Sequence, residues 1–112
     1  MTARMPLRTV KAIWRDQVCA DNGLRPAAFK IGYVMADYMT MAESAEEYRR
    51  TGKVIIWPSQ ESLHLRTELA HDTIRSSVAQ LIERGHLRKL KRGNQFTGSN
   101  TYRIILRAGE SN

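Results

Sequence analysis

The chain holds one cysteine, Cys19, in 112 residues. That excludes an internal disulfide and makes a reducing, cytoplasmic setting the simplest expectation. No apolar run approaches the ~20 residues that span a bilayer, and the N-terminus lacks the apolar middle of a secretory leader; no membrane partner is expected. His64, His71, His86 and Cys19 show no close ligand spacing, whereas structural zinc takes four ligands, so no metal and no other cofactor is expected. A phosphate-cradling glycine loop, a nucleophile elbow and a convincing carboxylate pair are all missing, which argues against an enzyme. The last absence concerns charge. From Arg88 to Arg107 there is no acidic residue, while Arg88, Lys89, Lys91, Arg92, Arg103 and Arg107 are all basic.

The net charge of +7 is unevenly spread. Residues 1–62 carry nine Lys/Arg against seven Asp/Glu, and residues 63–107 carry nine against three. A cationic field concentrated in one segment fits a polyanionic partner, although a solvated basic face is the plain alternative. The hydrophobic fraction of 42% and charged fraction of 26% are ordinary for a globular domain. The length suits one domain with one core over 1–112 rather than two.

Leu7, Val10, Ile13, Trp14 and Val18 recur at helical spacing and predict a helix over 7–20. Asp21-Asn22-Gly23 ends it, with Gly23 placed for a left-handed cap. Pro26 suits the first turn of a second helix, whose apolar face of Phe29, Ile31, Val34, Met35, Tyr38 and Met39 runs to about Ala42. The Met and Tyr residues of 33–41 are expected in the core, and a small-molecule effector is not expected among them. Residues 43–53 are polar and read as a loop with at most a further helical turn, closing an N-terminal part over 7–53. Val54-Ile55-Ile56-Trp57 predicts a short strand ended by Pro58. Ser59 can cap a helix over 60–66; a turn at 67–70 leads into a longer helix over 71–84, stopped by Gly85. Strands follow at 86–92 and 101–107 around a turn-rich loop. The tail over 108–112 is expected to fray.

Within 54–107, Leu63, Leu69, Ile74, Val78 and Leu81 can lock two short helices together, and Ile74, Val78 and Leu81 share one helical face. His71, Asp72, Arg75, Ser76 and Ala79 then fall on the opposite face, small and polar. The Trp57-Pro58-Ser59 run, Thr73-Ile74-Arg75, the Leu81…Glu83-Arg84-Gly85 helix end and Asn100-Thr101-Tyr102 together resemble the winged helix-turn-helix family of bacterial, plasmid and phage DNA-binding proteins. The resemblance covers about half the chain. It departs from the pattern at three places: Glu68 stands where glycine usually makes the turn, Ala70 at a position usually held by Ser or Thr, and His64 where a small residue is usual. The fold it implies is α+β: a mostly helical winged helix-turn-helix with a small antiparallel sheet and an extra N-terminal helix.

By position, the resemblance implies that helix 71–84 enters the major groove of double-stranded DNA. Arg75 is the first candidate for reading a guanine, and His71, Asp72 and Ser76 are further base-reading candidates. Asp72 could instead pair with Arg75 or Arg66. Ser59, Gln60 and Thr73 are phosphate candidates, with simple helix capping the alternative for Ser59. The wing over 88–103 would follow the backbone or minor groove through Arg88, Lys89, Lys91, Arg92, Asn94, Gln95, Asn100 and Arg103. Phe96 at its tip could fold back onto the hairpin or contact a partner. The N-terminal helix could cover the core, form a dimer seam, or use Arg4, Arg8, Lys11 and Arg15 on DNA. The leading expectation is a sequence-specific, nucleoid-associated transcription regulator acting as a homodimer. The alternatives are the DNA-binding module of a plasmid or phage replication initiator or other DNA-transaction accessory, and a winged-helix protein-interaction module without DNA binding.

Overall fold

The structure, a computed structural model, describes residues 4–91 and 100–107. The apolar stripe at its start forms α1 (Leu7–Cys19), which buries Val10, Trp14 and Val18. Pro26 opens α2 (Pro26–Tyr38) with its φ already helical. α2 is buried on most of its faces because α1, α4 and α5 all pack against it. Met35, Tyr38 and Met39 lie in the core as expected, but Tyr33 and Met41 do not. Tyr33 is 61% exposed, held under the guanidinium of Arg15 at 3.8 Å from the ring centre.

The polar stretch read as a loop is a helix, α3 (Ala42–Thr51). It buries only Ser44 among its residues, so no apolar period announces it. Local devices hold it instead. Glu46 pairs with Arg49 and Glu47 with Arg50, three residues apart; Gly52 ends the helix in the left-handed conformation at φ 80°; and the Arg4 guanidinium donates to the carbonyls of Tyr48 and Arg49 at its C-terminus. Gly23, expected in a left-handed cap, is not left-handed, and α1 closes on Ala20 in the ordinary helical region. What Gly23 supplies is room, because a Cβ there would stand 2.5 Å from the Arg84 guanidinium carbon.

β1 (Ile55–Ile56) leads through buried Pro58 into α4 (Gln60–Thr67). Ser59 caps α4 by accepting from the Ser62 N–H at 3.0 Å. Glu68 then turns the chain at φ 60° without a glycine. Two side chains brace that turn. Buried Thr67 donates to the Leu63 carbonyl and accepts from the Leu69 N–H, and His64 Nδ1 donates to the Leu69 carbonyl at 2.7 Å. α5 (His71–Glu83) follows, packed through Ile74, Ser77, Val78 and Leu81 and stopped by Gly85 at φ 84°. A left-handed non-glycine residue costs ~1–2 kcal/mol, and glycine returns ~0.4–1 kcal/mol of that through the freer unfolded chain. Glu68→Gly is therefore expected to raise stability by roughly 0.5–1 kcal/mol. Denaturant unfolding at unchanged slope checks this, and an unchanged or lower midpoint would show that the braces already remove the strain.

β2 (Leu87–Lys91) and β3 (Thr101–Ile104) form an antiparallel ladder, and β1 pairs with the other edge of β3, giving the order β1-β3-β2. Across this sheet Ile56, Tyr102 and Lys89 make one row, and Ile55, Arg103 and Arg88 the next. Adjacent rows point to opposite faces. Ile56, Tyr102, Leu87 and Ile104 join the helical core; on the opposite face Ile55 is buried where α3 packs against β1, Arg103 is half-buried and Arg88 is exposed. A register shift between Lys89 and Lys91 marks a bulge at Leu90, which is exposed. One continuous cluster of buried side chains runs through α1, α2, α4, α5 and all three strands. Among the described residues no helix is long and apolar enough to cross a membrane.

Candidate nucleic-acid interface

The face of α5 turned away from the core presents His71, Asp72, Arg75, Ser76 and Ala79, all exposed. Beside it lies a groove of about 240 Å³ whose wall includes Gln60 from α4, Arg75 and Ala79 from α5, Lys89 from β2, and Asn100 and Tyr102 from the start of β3. Residues from four elements thus converge on one concavity. Gln60 donates to the His71 carbonyl at 3.0 Å, fixing the start of α4 against the first turn of α5. The His64 and His71 rings stack at 4.6 Å across the turn. Asn100 donates to the Tyr102 hydroxyl at 3.2 Å. Burial raises the Tyr102 pKa, opposed in part by that hydrogen bond, so the phenol stays a donor at neutral pH.

Charge on this face is sparsely compensated. Arg75 pairs with Asp72 one helical turn away, as the sequence allowed, while Arg66 pairs with Asp37 instead. Both members of the Arg75–Asp72 pair are strongly exposed, and such pairs are worth ~0–1 kcal/mol, so Arg75 can exchange Asp72 for another acceptor easily. Lys89 pairs with no carboxylate among the described residues. Ala70 provides no side-chain cap, which leaves the first N–H groups of α5 open to an anion.

The other predicted residues sort differently. Thr73 is partly buried, its carbonyl accepting from the Ser76 hydroxyl at 3.1 Å, and Ser59 is committed as a cap. Arg88 and Arg103 stand on the opposite face of the sheet from Lys89 and do not border the groove. Lys91 pairs with Thr101 across the ladder. Arg92, Asn94, Gln95 and Phe96 lie outside the described residues, as does the tail over 108–112. The basic face expected on the N-terminal helix is largely used internally. Arg4 caps α3, and Lys11 and Arg15 each meet Asp37 at 2.8 Å, with Arg66 at 2.6 Å. Burial works to raise the Asp37 pKa, but the hydrogen bonds from Lys11 and Arg66 and the nearby charges outweigh it and hold the carboxyl at about 2.

Two features were not read from the sequence. One is the Tyr102 hydroxyl, assigned only to the core although its tip reaches the groove; its place directly after Asn100-Thr101 was the available signal. The other is a buried polar cluster where α1, the end of α5 and the base of the hairpin meet. His86 is fully buried, with Nδ1 accepting from Gln17 Nε2 at 2.9 Å and Nε2 donating to Asp21 Oδ2 at 2.7 Å. Arg84, which closes α5, forks onto the same carboxylate at 2.6 and 3.0 Å. The His86 carbonyl accepts from Trp14 Nε1, and Gln17 also reaches the Ile105 carbonyl and the Arg107 N–H. The cluster therefore ties α1, the end of α5 and the base of the β2–β3 hairpin into one unit. No residue spacing encodes it, since Asp21 and His86 lie 65 positions apart.

Comparison with protein-family models, with curated proteins and with solved structures finds no match for this chain.

Proposed function

We propose that the chain is a winged helix-turn-helix module that binds duplex DNA, with α5 as the recognition helix and the β2–β3 hairpin as the wing. The observation that carries this reading is the convergence of Gln60, Arg75, Lys89 and Asn100 on one groove beside the exposed face of α5. The surface has what a duplex requires: a helix with small polar side chains to approach base edges, an arginine whose fork matches two adjacent guanine acceptors, a lysine at the height of the neighbouring backbone, and open N–H groups for a phosphate. The clamp formed by Gln60, the turn braces and the Asp21 cluster holds helix and hairpin at a fixed mutual angle, so base and backbone contacts form together. A small sequence-specific transcription regulator is the simplest protein of this kind.

The test uses duplexes selected from random sequence by the whole chain. Arg75→Ala is expected to weaken binding to the selected site by ~1–3 kcal/mol, about 5- to 150-fold, and to relax preference at one base pair. Binding to unselected duplex should change little. Equal loss on both would make Arg75 a backbone anchor, and failure of the parent protein to enrich any sequence would defeat the reading.

A further inference from the structure

We infer that the outer face of the sheet is a second phosphate-binding surface, directed at a duplex segment other than the one held against α5. The inference rests on the DNA-binding reading and goes beyond it. Arg88, exposed, and Arg103, half-buried, are directly opposed across the β2–β3 ladder on the face opposite Tyr102 and Ile104. Like charges at such positions repel and weaken a sheet. No described carboxylate relieves them. Of the acidic residues of α3, the helix packed against β1, Glu46 and Glu47 are engaged with Arg49 and Arg50, and Glu43 in its first turn forms no ion pair with Arg88 or Arg103 among the described residues. A sheet that keeps two opposed guanidiniums without a counterion has room for an external one. Two guanidiniums on adjacent strands can each donate in pairs to the oxygens of a phosphodiester backbone.

The direction follows from the alternation of rows. Lys89 shares its row with Tyr102 and lines the groove beside α5. Arg88 and Arg103 belong to the next row and point the other way. One duplex cannot readily serve both faces. A duplex seated in the groove beside α5 meets the hairpin on the face that carries Lys89, and the outer row is turned away from it. The outer arginines are therefore free to engage a second backbone, and the protein would bridge two duplex segments.

The experiment is a bridging assay with the full chain: a duplex carrying the selected site is fixed to beads, and capture of a second, labelled duplex is measured with the parent and with Arg88→Ser/Arg103→Ser. The parent is expected to capture the second duplex, and the double variant about ten-fold less or worse, as suits the loss of two phosphate contacts. Binding of the variant to one duplex in solution should stay within about three-fold, and its thermal midpoint should be unchanged or higher because the repulsion is gone. Capture by the variant equal to that by the parent overturns the inference and assigns bridging to self-association. A parent that binds one duplex but never two overturns it while leaving the DNA-binding reading intact; a parent that binds no duplex removes both. Arginine-dependent capture of polyglutamate with none of a second duplex would overturn it in favour of an acidic protein partner.

Discussion

Asp21→Ala is expected to lower the unfolding free energy by about 3 kcal/mol, between the ~1–3 kcal/mol of a buried donor left unpaired and the ~3–5 kcal/mol of a broken buried ion pair. The carboxylate is almost fully buried and serves four donors: two Arg84 nitrogens, His86 Nε2 and the Gly23 N–H. Arg84 keeps enough exposure to turn toward water, so its charge is not stranded. His86 has no such escape. Its Nε2–H would be left buried without its acceptor, and the start of β2 would lose its tie to the end of α1. For a domain of this size the thermal midpoint should fall by about 10 °C or more, whereas Asp16→Ala, on the exposed side of α1, should move it by about 1 °C or less. A drop for Asp21→Ala no larger than for Asp16→Ala would mean the cluster is incidental to the fold.

The same cluster sets the pH response. Hydrogen bonding to Arg84 lowers the Asp21 pKa strongly; burial opposes this, and His86 and the Gly23 N–H add to the lowering. Burial likewise lowers the His86 pKa, with Asp21 pulling upward and Arg107 and Arg84 downward. Both groups bind protons more readily in the unfolded chain, so stability rises with pH. The His86 contribution is present above the ordinary histidine value of ~6.5 and is lost as pH falls toward its depressed folded value. The contributions of Asp21 and Asp37 are present above the ordinary carboxylate range and disappear below it, for Asp37 down to about 2. Unfolding measured from neutral to acidic pH should show a first decline below about pH 7 and a steeper one below about pH 4. In His86→Gln the first decline should be absent.

Affinity for DNA should fall steeply with salt. Each Lys or Arg contact to phosphate releases counterions, giving a slope of about −0.9 in log K against log salt. With four to eight contacts in the complex the slope should be roughly −4 to −7, so raising salt from about 50 to 200 mM should weaken binding on the order of 10²–10⁴-fold. On the DNA-binding reading, the cations free of internal partners are the ones expected to contribute. Neutralising Lys89, Lys91 and Arg92 together should flatten the slope by about two to three. Neutralising Lys11, whose ammonium is taken up by Asp37, should leave the slope unchanged. A flat response of the parent protein would end the DNA-binding reading. An unchanged slope in the triple variant with folding intact would remove the hairpin from the interface.

Much of the arrangement around α4 and α5 is legible in the residues alone. The spacing of Ile74, Val78 and Leu81 is a local property of a helix with 3.6 residues per turn, so the buried face and the exposed face carrying His71, Asp72, Arg75 and Ser76 follow directly. Ser59 as a cap and Gly85 as a stop are equally local. Alternation also orders β3, with Tyr102 and Ile104 inward and Arg103 outward. α3 escaped because its stability comes from ion pairs, a left-handed glycine and a capping arginine from another segment, none of which produces an apolar period.

The division of the hairpin cations was legible only in part. Alternation separates Arg88 from Lys89, but the pairing register decides which of them meets the groove, and register depends on the partner strand. The N-terminal cations show the same limit. Lys11 and Arg15 lie on α1 in a pattern equally suited to solvent, DNA or an internal partner, and the position of Asp37 after α1 and α2 have packed selects the last. Short-range regularities, namely helix faces, caps, turns and strand alternation, were thus determined by the chain itself because each depends on neighbours a few residues away. The Asp21–His86–Arg84 cluster, the Asp37 hub, the groove of Gln60, Arg75, Lys89 and Asn100 and the outward row of Arg88 and Arg103 were decided only by tertiary structure. A charged side chain can meet several partners at similar free energy, and packing of the apolar core determines which partner comes within reach.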